Sequence, residues 1–485
     1  MNALSYISIS FLIIPLMALF ICILLKRSRQ NLGFYLMGLF TLTQMGFALH
    51  GLVLFNNLKI SEFLFGLPIT ESLTDIFTLK SVSLVILFCI GLVALVSLLI
   101  ANKTMPEDKK LSYLRLLSTL ILGMNGIVLI NDLFTMYLFI EIIGISSFVL
   151  ISTTKTQEGL ESAFIYLVMS ALASILILTG IAFIFMRTGN VEFSYLIEVA
   201  KTQGNAPQNA LTYLSYILII SGLLIKTGAV PFHSWLPDAH QSADTSVSVL
   251  LSGIVIKAAG VYCLITVTEI FGNLYVIRLS LAIIGIITIA IGALFALHQN
   301  HFKRILAYSS VSQMGYMLLG ISAGGVLGLI GTVFHIFNHA VFKSTLFTNA
   351  AAIHEETHTL EIDKMGGLQK QMPITATTSL IAFLSTAGIP PLSGFWSKLL
   401  IIIALWNAGF IGFGITALVL SIFTAAYFLR LQMNVFFGQT PESMKNVHEV
   451  GGSIKFAEVF LTIITVAVGL GFPFILLYLE ASGIL

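Results

Sequence analysis

The sequence predicts an all-α polytopic membrane protein with about 14 transmembrane helices, and three observations lead there. The chain is 57% hydrophobic and only 9% charged, with a mean hydropathy of +0.99, which is too little polar surface to coat a water-soluble globule of 485 residues. Apolar stretches of about 20 residues, the length needed to cross a bilayer, recur from one end to the other with short polar links. Two of these stretches are interrupted by glycine and proline in similar wording. No length remains for a separate soluble domain.

Taken in order, the spans fall at 4–25, 32–55, 78–101, 111–130, 133–152, 160–186, 211–230, 245–270, 278–298, 303–321, 325–352, 374–404, 409–438 and 456–478. The first has no small-residue cleavage site after it, so it reads as a spanning helix and not as a signal peptide. The second follows KRSR at 26–29, the longest basic run in the chain. Asn131-Asp132 alone parts the fourth span from the fifth, and Ser322 to Gly325 part the tenth from the eleventh. The seventh span ends in TGAVPFHSW and the twelfth contains AGIPPLSGFW. Both breaks fall where a proline removes a backbone donor from a spanning helix.

Charge and cysteine content exclude several functions. The net charge of +2 is spread over many short loops, which gives no surface for nucleic acid. Cys22, Cys89 and Cys263 stand alone in apolar segments, with neither disulfide nor cluster spacing. No Gly-rich phosphate loop is present, so no nucleotide site is expected.

Loops after odd-numbered spans carry 15 Lys and Arg, whereas loops after even-numbered spans carry five: Lys59, Lys80, Arg187, Lys201 and Arg278. This asymmetry predicts that the odd loops are cytoplasmic and both termini outside, in the cell (inner) membrane. The remaining four basic residues, Lys226, Lys257, Lys343 and Lys398, fall inside spans, as does Glu141 in LFIEIIGIS. A charge at mid-membrane costs about 2.5–3.5 kcal/mol on insertion scales, so five such residues need a reason. One reason is structural: each snorkels to an interface or closes a static ion pair. The other is functional. A desolvated lysine beside a carboxylate releases and recaptures a proton as its neighbour moves or changes charge. Glu141 is the expected neighbour of Lys226.

The two breaks, with Pro231 and Pro391 160 residues apart, mark a transporter built from internal repeats. Backbone carbonyls freed by a broken helix are tolerated only beside protein or water, so hydrated cavities are expected near Lys226 and Lys398. In the eleventh span His335, His339 and Lys343 recur every four residues and share one helix face. Zinc would need further ligands that do not follow at a fitting spacing. The histidines serve either as hydrogen-bonded partners between helices or as a proton relay, since imidazole both accepts and donates near neutral pH.

Six motifs taken in order, LFIEIIGISSF, IKTGAVPFHSWLPDAH, LLSGIVIKAAGVY, FKRILAYSSVSQMGY, FHIFNHAVFKSTLF and GIPPLSGFWSK, resemble the antiporter-like membrane subunits shared by respiratory complex I, group 4 membrane-bound NiFe hydrogenases and formate hydrogenlyases, and Mrp-type Na⁺/H⁺ antiporters. The resemblance covers residues 110 to 440 and is closest in look to hydrogenase-type and Mrp D-type subunits. It implies two inverted five-helix repeats at helices 4–8 and 9–13, with helices 7 and 12 broken. The corresponding division is 1–105, 106–272, 273–440 and 441–485.

The resemblance also implies a proton-transfer axis of Glu141, Lys226, Lys257, His335, His339 and Lys398, with His233, Asp238, Asp244 and Lys343 as access or accessory positions. It implies no cofactor or metal in this chain. Iron–sulfur clusters, and NiFe or flavin, would belong to peripheral redox partners, and other antiporter-like subunits would be membrane partners; H⁺, and Na⁺ in some relatives, would be the cargo. Asp244-Thr245 departs from the usual small residue and proline, and His301 stands where an acid is common. The chain ends soon after residue 478, an expectation against the complex I subunit that carries a lateral helix. Two readings remain: the ion pump of a redox complex such as a membrane-bound hydrogenase or NADH dehydrogenase, and a D-type subunit of an Mrp antiporter driven by gradients alone.

Overall fold

The structure, a computed structural model, describes residues 3–55, 79–202, 210–271 and 274–481. Lys59, the expected division at 272–273 and the chain termini lie outside the described residues.

The helices follow the apolar stretches closely. They are α1 (Ala3–Leu24), α2 (Gln30–Phe55), α3 (Ser81–Thr104), α4 (Lys110–Leu129), α5 (Leu133–Ser152), α6 (Gln157–Thr188), α7 (Ala210–Thr227), α8 (Thr245–Ile270), α9 (Tyr275–Leu297), α10 (Phe302–Ala323), α11 (Gly325–Thr357), α12 (Pro373–Ala387), α13 (Ser393–Asn407), α14 (Ile411–Val435) and α15 (Gly452–Ala481). Among the described residues, 12 helices are long and apolar enough to cross a membrane. Their outward faces carry Phe20, Ile175, Ile422 and Phe474, all exposed, as lipid-facing positions would be.

Polar residues mark the ends. Asp132 caps α5 by accepting from the Thr135 N–H at 2.7 Å, and Thr156 caps α6 by accepting from the Gly159 N–H at 3.1 Å. Gly189, at φ 69°, closes α6 in the left-handed conformation that suits glycine.

Three stretches differ from plain spans. The expected span 374–404 is two helices, α12 and α13, on either side of a break at 388–392. The first break, after α7, leads into a short helix, Trp235–Ser242, which the hydropathy pattern did not separate. The two breaks share local geometry. Gly228 and Gly388 both have positive φ (65° and 87°), and each is followed by a turn in which the residue four positions on donates back, Phe232 N–H to Ala229 O and Leu392 N–H to Ile389 O. The third stretch is α10, which is polar for a span yet buried along its whole length except at Arg304. A polar helix in a bilayer is stable when other helices surround it.

The chain forms two compact units. The first comprises residues 1–95, 107–228 and 254–280. In it α5 packs between α4 and α6, and α6 runs along α7. Their backbones approach closely because Gly222 leaves room for the Ala173 carbonyl, which an added Cβ would meet at 2.6 Å. The second comprises 96–106, 229–253 and 281–485. Its centre is α11, against which α10, α12, α13 and α15 pack.

Candidate functional site

In the first unit, Lys226 is the penultimate residue of α7, just before the break. Its side chain is 4% exposed, and its Nζ lies 3.8 Å from Glu141 Oε1 on α5. The ammonium donates to Ser170 Oγ on α6 at 2.6 Å, and Ser174 Oγ, one turn further along α6, donates to Glu141 Oε1. Two serines four residues apart on one face of α6 therefore flank the charge pair, one on each partner. Glu141 is 31% exposed, so the pair has an exposed end and a buried end. Gly144 on α5 keeps the space open, since a Cβ there would come within 2.9 Å of Ser170 Oγ.

Lys257 is wholly buried in the same unit and begins a π-helical stretch, Lys257–Tyr262, within α8. Such widened turns gather at functional positions. The stretch leans on the residue after Lys226: a Cβ on Gly260 would meet the Thr227 backbone N and Cα at 3.0 Å.

In the second unit, Lys398 uses the broken helix directly. Its Nζ donates to the carbonyls of Thr386 and Ala387, the last residues of α12, at 2.8 and 3.3 Å. These carbonyls have no helical partner beyond the break, and the C-terminal end of a helix attracts a cation. The ammonium also sits 4.4 Å from the centre of the Tyr316 ring, a cation–π contact. Tyr316 in turn lies 6.0 Å from the His335 ring, and His335 Nδ1 is hydrogen-bonded to Ser397 Oγ, next to Lys398, at 2.9 Å. His339 is wholly buried, its ring 5.2 Å from Phe342. Lys343 donates to Leu306 O at 2.9 Å and to Ser309 Oγ, with Phe428 at 5.6 Å.

The remaining expected positions have local duties. Asp238 accepts from Arg304 Nη1 at 2.7 Å. Asp244 caps α8, accepting from the Ser246 N–H at 2.9 Å and the Ser246 hydroxyl at 2.6 Å. The His233 ring lies against Phe295 and Tyr308. His301, in the link before α10, is held neutral down to about 4 by burial first and then by Lys303, Arg304 and His354. Among the described residues no group of three or more His, Cys, Asp or Glu side chains is arranged to hold a metal.

Sequence reasoning did not single out Ser170, Ser174, Tyr316 or Ser397. The signal was present for the serines of α6, whose spacing of four places them on one face of an apolar span. Nothing in hydropathy links Tyr316 to Lys398.

The sequence pattern of the NADH:quinone oxidoreductase/Mrp antiporter transmembrane family matches residues 130–424, a stretch that contains Glu141, Lys226, Lys257, His335, His339, Lys343 and Lys398. The chain belongs to that family. It is 30% identical over 384 residues to the D-type subunit of the Na(+)/H(+) antiporter of Alkalihalophilus pseudofirmus, covering 78% of this chain and 77% of the relative. It is 33% identical over 314 residues to the M-type subunit of the NADH-quinone oxidoreductase of Rickettsia prowazekii, covering 64% of this chain and 62% of the relative.

Two solved structures share the fold. A chain of the Mrp complex from a Dietzia species superposes with a TM-score of 0.88 at 25% identity, covering 100% of this chain and 97% of that one. A chain of the membrane-bound sulfane sulfur reductase, an archaeal respiratory membrane complex, superposes with a TM-score of 0.84 at 26% identity, covering 98% and 97%. The protein is thus a multi-pass membrane antiporter-like subunit of the family that complex I and Mrp antiporters share.

Proposed function

We propose that the chain translocates protons, or exchanges Na⁺ for protons, as a cofactor-free subunit of a complex I-related membrane-bound oxidoreductase such as a hydrogenase or NADH dehydrogenase. The observation that carries the ion-moving part is the Glu141–Lys226 pair, in which a buried ammonium and a part-exposed carboxylate stand 3.8 Å apart with hydroxyls on both. The two groups do not touch directly, so the charge that Lys226 faces changes when Glu141 moves or takes up a proton. The proton carriers are Glu141, Lys226 and Lys257 in the first unit and His335, His339 and Lys398 in the second, with His233, Asp238, Asp244 and Lys343 accessory. Residues 106–272 and 273–440 act as the two repeats. The Lys- and Arg-rich loops face the cytoplasm, and both termini lie outside.

The likeness to a respiratory membrane reductase and to the M-type subunit of an NADH-quinone oxidoreductase supports the redox-driven setting, with iron–sulfur clusters, and NiFe or flavin, in peripheral partners. A second reading, a D-type subunit of an Mrp antiporter driven by gradients without redox chemistry, is supported by the likeness to the Na(+)/H(+) antiporter relative and to a chain of the Mrp complex.

Mass spectrometry of what co-purifies from gently solubilised native membranes separates the two. A large redox subunit with iron–sulfur proteins is the expected outcome. A set of small cofactor-free membrane proteins, together with Na⁺/H⁺ exchange that needs no reductant, would contradict the redox setting and support the antiporter.

A further inference from the structure

Glu458 lies in the second turn of α15 and is wholly buried. It is also outside residues 130–424, so the family pattern does not account for it. Its Oε2 is 3.2 Å from Thr375 Oγ1 at the start of α12, and its Oε1 has no hydrogen-bond partner. The Thr375 hydroxyl also lies 2.7 Å from Glu449 Oε1, while Glu449 Oε2 accepts from the Ile374 N–H at 2.7 Å. Glu449 sits in the link before α15 and is partly exposed.

A threonine hydroxyl has one proton and can donate to one acceptor at a time. The shorter contact and the helix N-terminus beneath it both favour Glu449 as the ionised acceptor. The longer contact is then completed only if Glu458 carries a proton and donates from Oε2 to Thr375 Oγ1. No ion pair reaches Glu458 among the described residues; the charged groups acting on it are Glu449 and Lys455. A bare carboxylate with a buried, unpartnered oxygen is costly, and a proton removes the buried charge, the larger part of that cost. Inward, Asn349 of α11 donates to the Thr375 carbonyl at 3.2 Å, and Lys343 is six residues back along that helix.

We propose that Glu458, Thr375 and Glu449 form a proton port at the Lys- and Arg-rich end of the second unit, with Glu458 holding one proton and exchanging it through Thr375 with Glu449. In the transfer the Glu458 O–H bond breaks as its proton joins Thr375 Oγ1. The original threonine proton passes to Glu449 Oε1, which releases it to water, and the return runs in reverse. The port rests on the proton-translocating reading above, whereas the proton on Glu458 does not.

The test is infrared spectroscopy of the intact complex in lipid at neutral pH, together with proton flux in the same preparation. The wild type minus E458Q difference is expected to show one carboxylic-acid C=O band that shifts in D₂O. T375V is expected to keep that band while lowering proton flux by about tenfold, and T375S to restore the flux. Absence of the band overturns the port, because Glu458 is then ionised. Unchanged flux in T375V, in a complex where E141Q abolishes it, also overturns the port and leaves the wider reading standing. A wild-type complex that moves no protons overturns the wider reading and the port with it.

Discussion

Lys226 Nζ stands 3.8 Å from Glu141 Oε1, yet its shortest bond, 2.6 Å, is to the neutral hydroxyl of Ser170. The ammonium is thus attached to a serine and only attracted to the glutamate. Asp238 and Arg304, by contrast, close to direct contact at 2.7 Å. In the first pair the direct bond to the ammonium comes from Ser170, and Glu141 acts on it through its charge across the gap.

Ser170→Ala removes the hydroxyl on which the ammonium rests. A hydrogen bond to a charged group contributes about 1.5–3 kcal/mol, and each 1.4 kcal/mol is about tenfold in rate, so proton flux is expected to fall by about tenfold or more with the complex still assembled. Ser170→Thr should keep the flux. Flux measured in proteoliposomes checks both variants.

Lys398→Arg keeps a cation over Tyr316 and against the Thr386 and Ala387 carbonyls, but a guanidinium does not give up its proton. Flux is expected to fall on the order of a hundredfold, with thermal stability near that of the wild type. Retained pumping would show that Lys398 acts only as a fixed charge.

Gly260→Ala places a methyl group 3.0 Å from the Thr227 backbone and 2.5 Å from its Cγ2, so α7 and α8 must move apart. Overpacking of this kind costs about 1–3 kcal/mol. A lower thermal midpoint in detergent is expected, and an unchanged one would contradict the close packing between the π-helical stretch and the break.

His301 gives a pH dependence whose sign is fixed. Its folded value, about 4, lies below the ordinary 6.5, so between the two the unfolded chain binds more protons. Its contribution is complete above pH 6.5 and declines as pH falls toward 4. His301→Gln is expected to flatten this part of the stability–pH curve, as read by thermal unfolding across that range.

Much of the fold was legible in the sequence, because the bilayer imposes a length and a polarity on each span. The boundaries of α5, expected at 133–152, and α8, expected at 245–270, coincide with the observed helices. The helix α10, expected at 303–321, is observed at Phe302–Ala323; what hydropathy did not show is that neighbouring helices bury its Ser309, Ser310, Ser312 and Gln313. The short helix Trp235–Ser242 was hidden for a related reason: its apolar residues are too few to register as a span.

In the candidate site, the charged residues stood out by their cost in a membrane, and the pairing of Glu141 with Lys226 was anticipated from chemistry. The hydroxyls and carbonyls that position those charges were not. The end of α12 matters because the break folds it next to Lys398, and Ser397 because α13 packs it against His335.

The most direct test is proton flux in proteoliposomes holding the intact complex, compared between wild type and Glu141→Gln. Glutamine keeps the size of the side chain and the bond from Ser174 but removes the charge that Lys226 faces. The account predicts an assembled complex with flux reduced on the order of a hundredfold or more. Normal flux in that variant would contradict it, and so would loss of the folded complex, which would make the pair a structural tie.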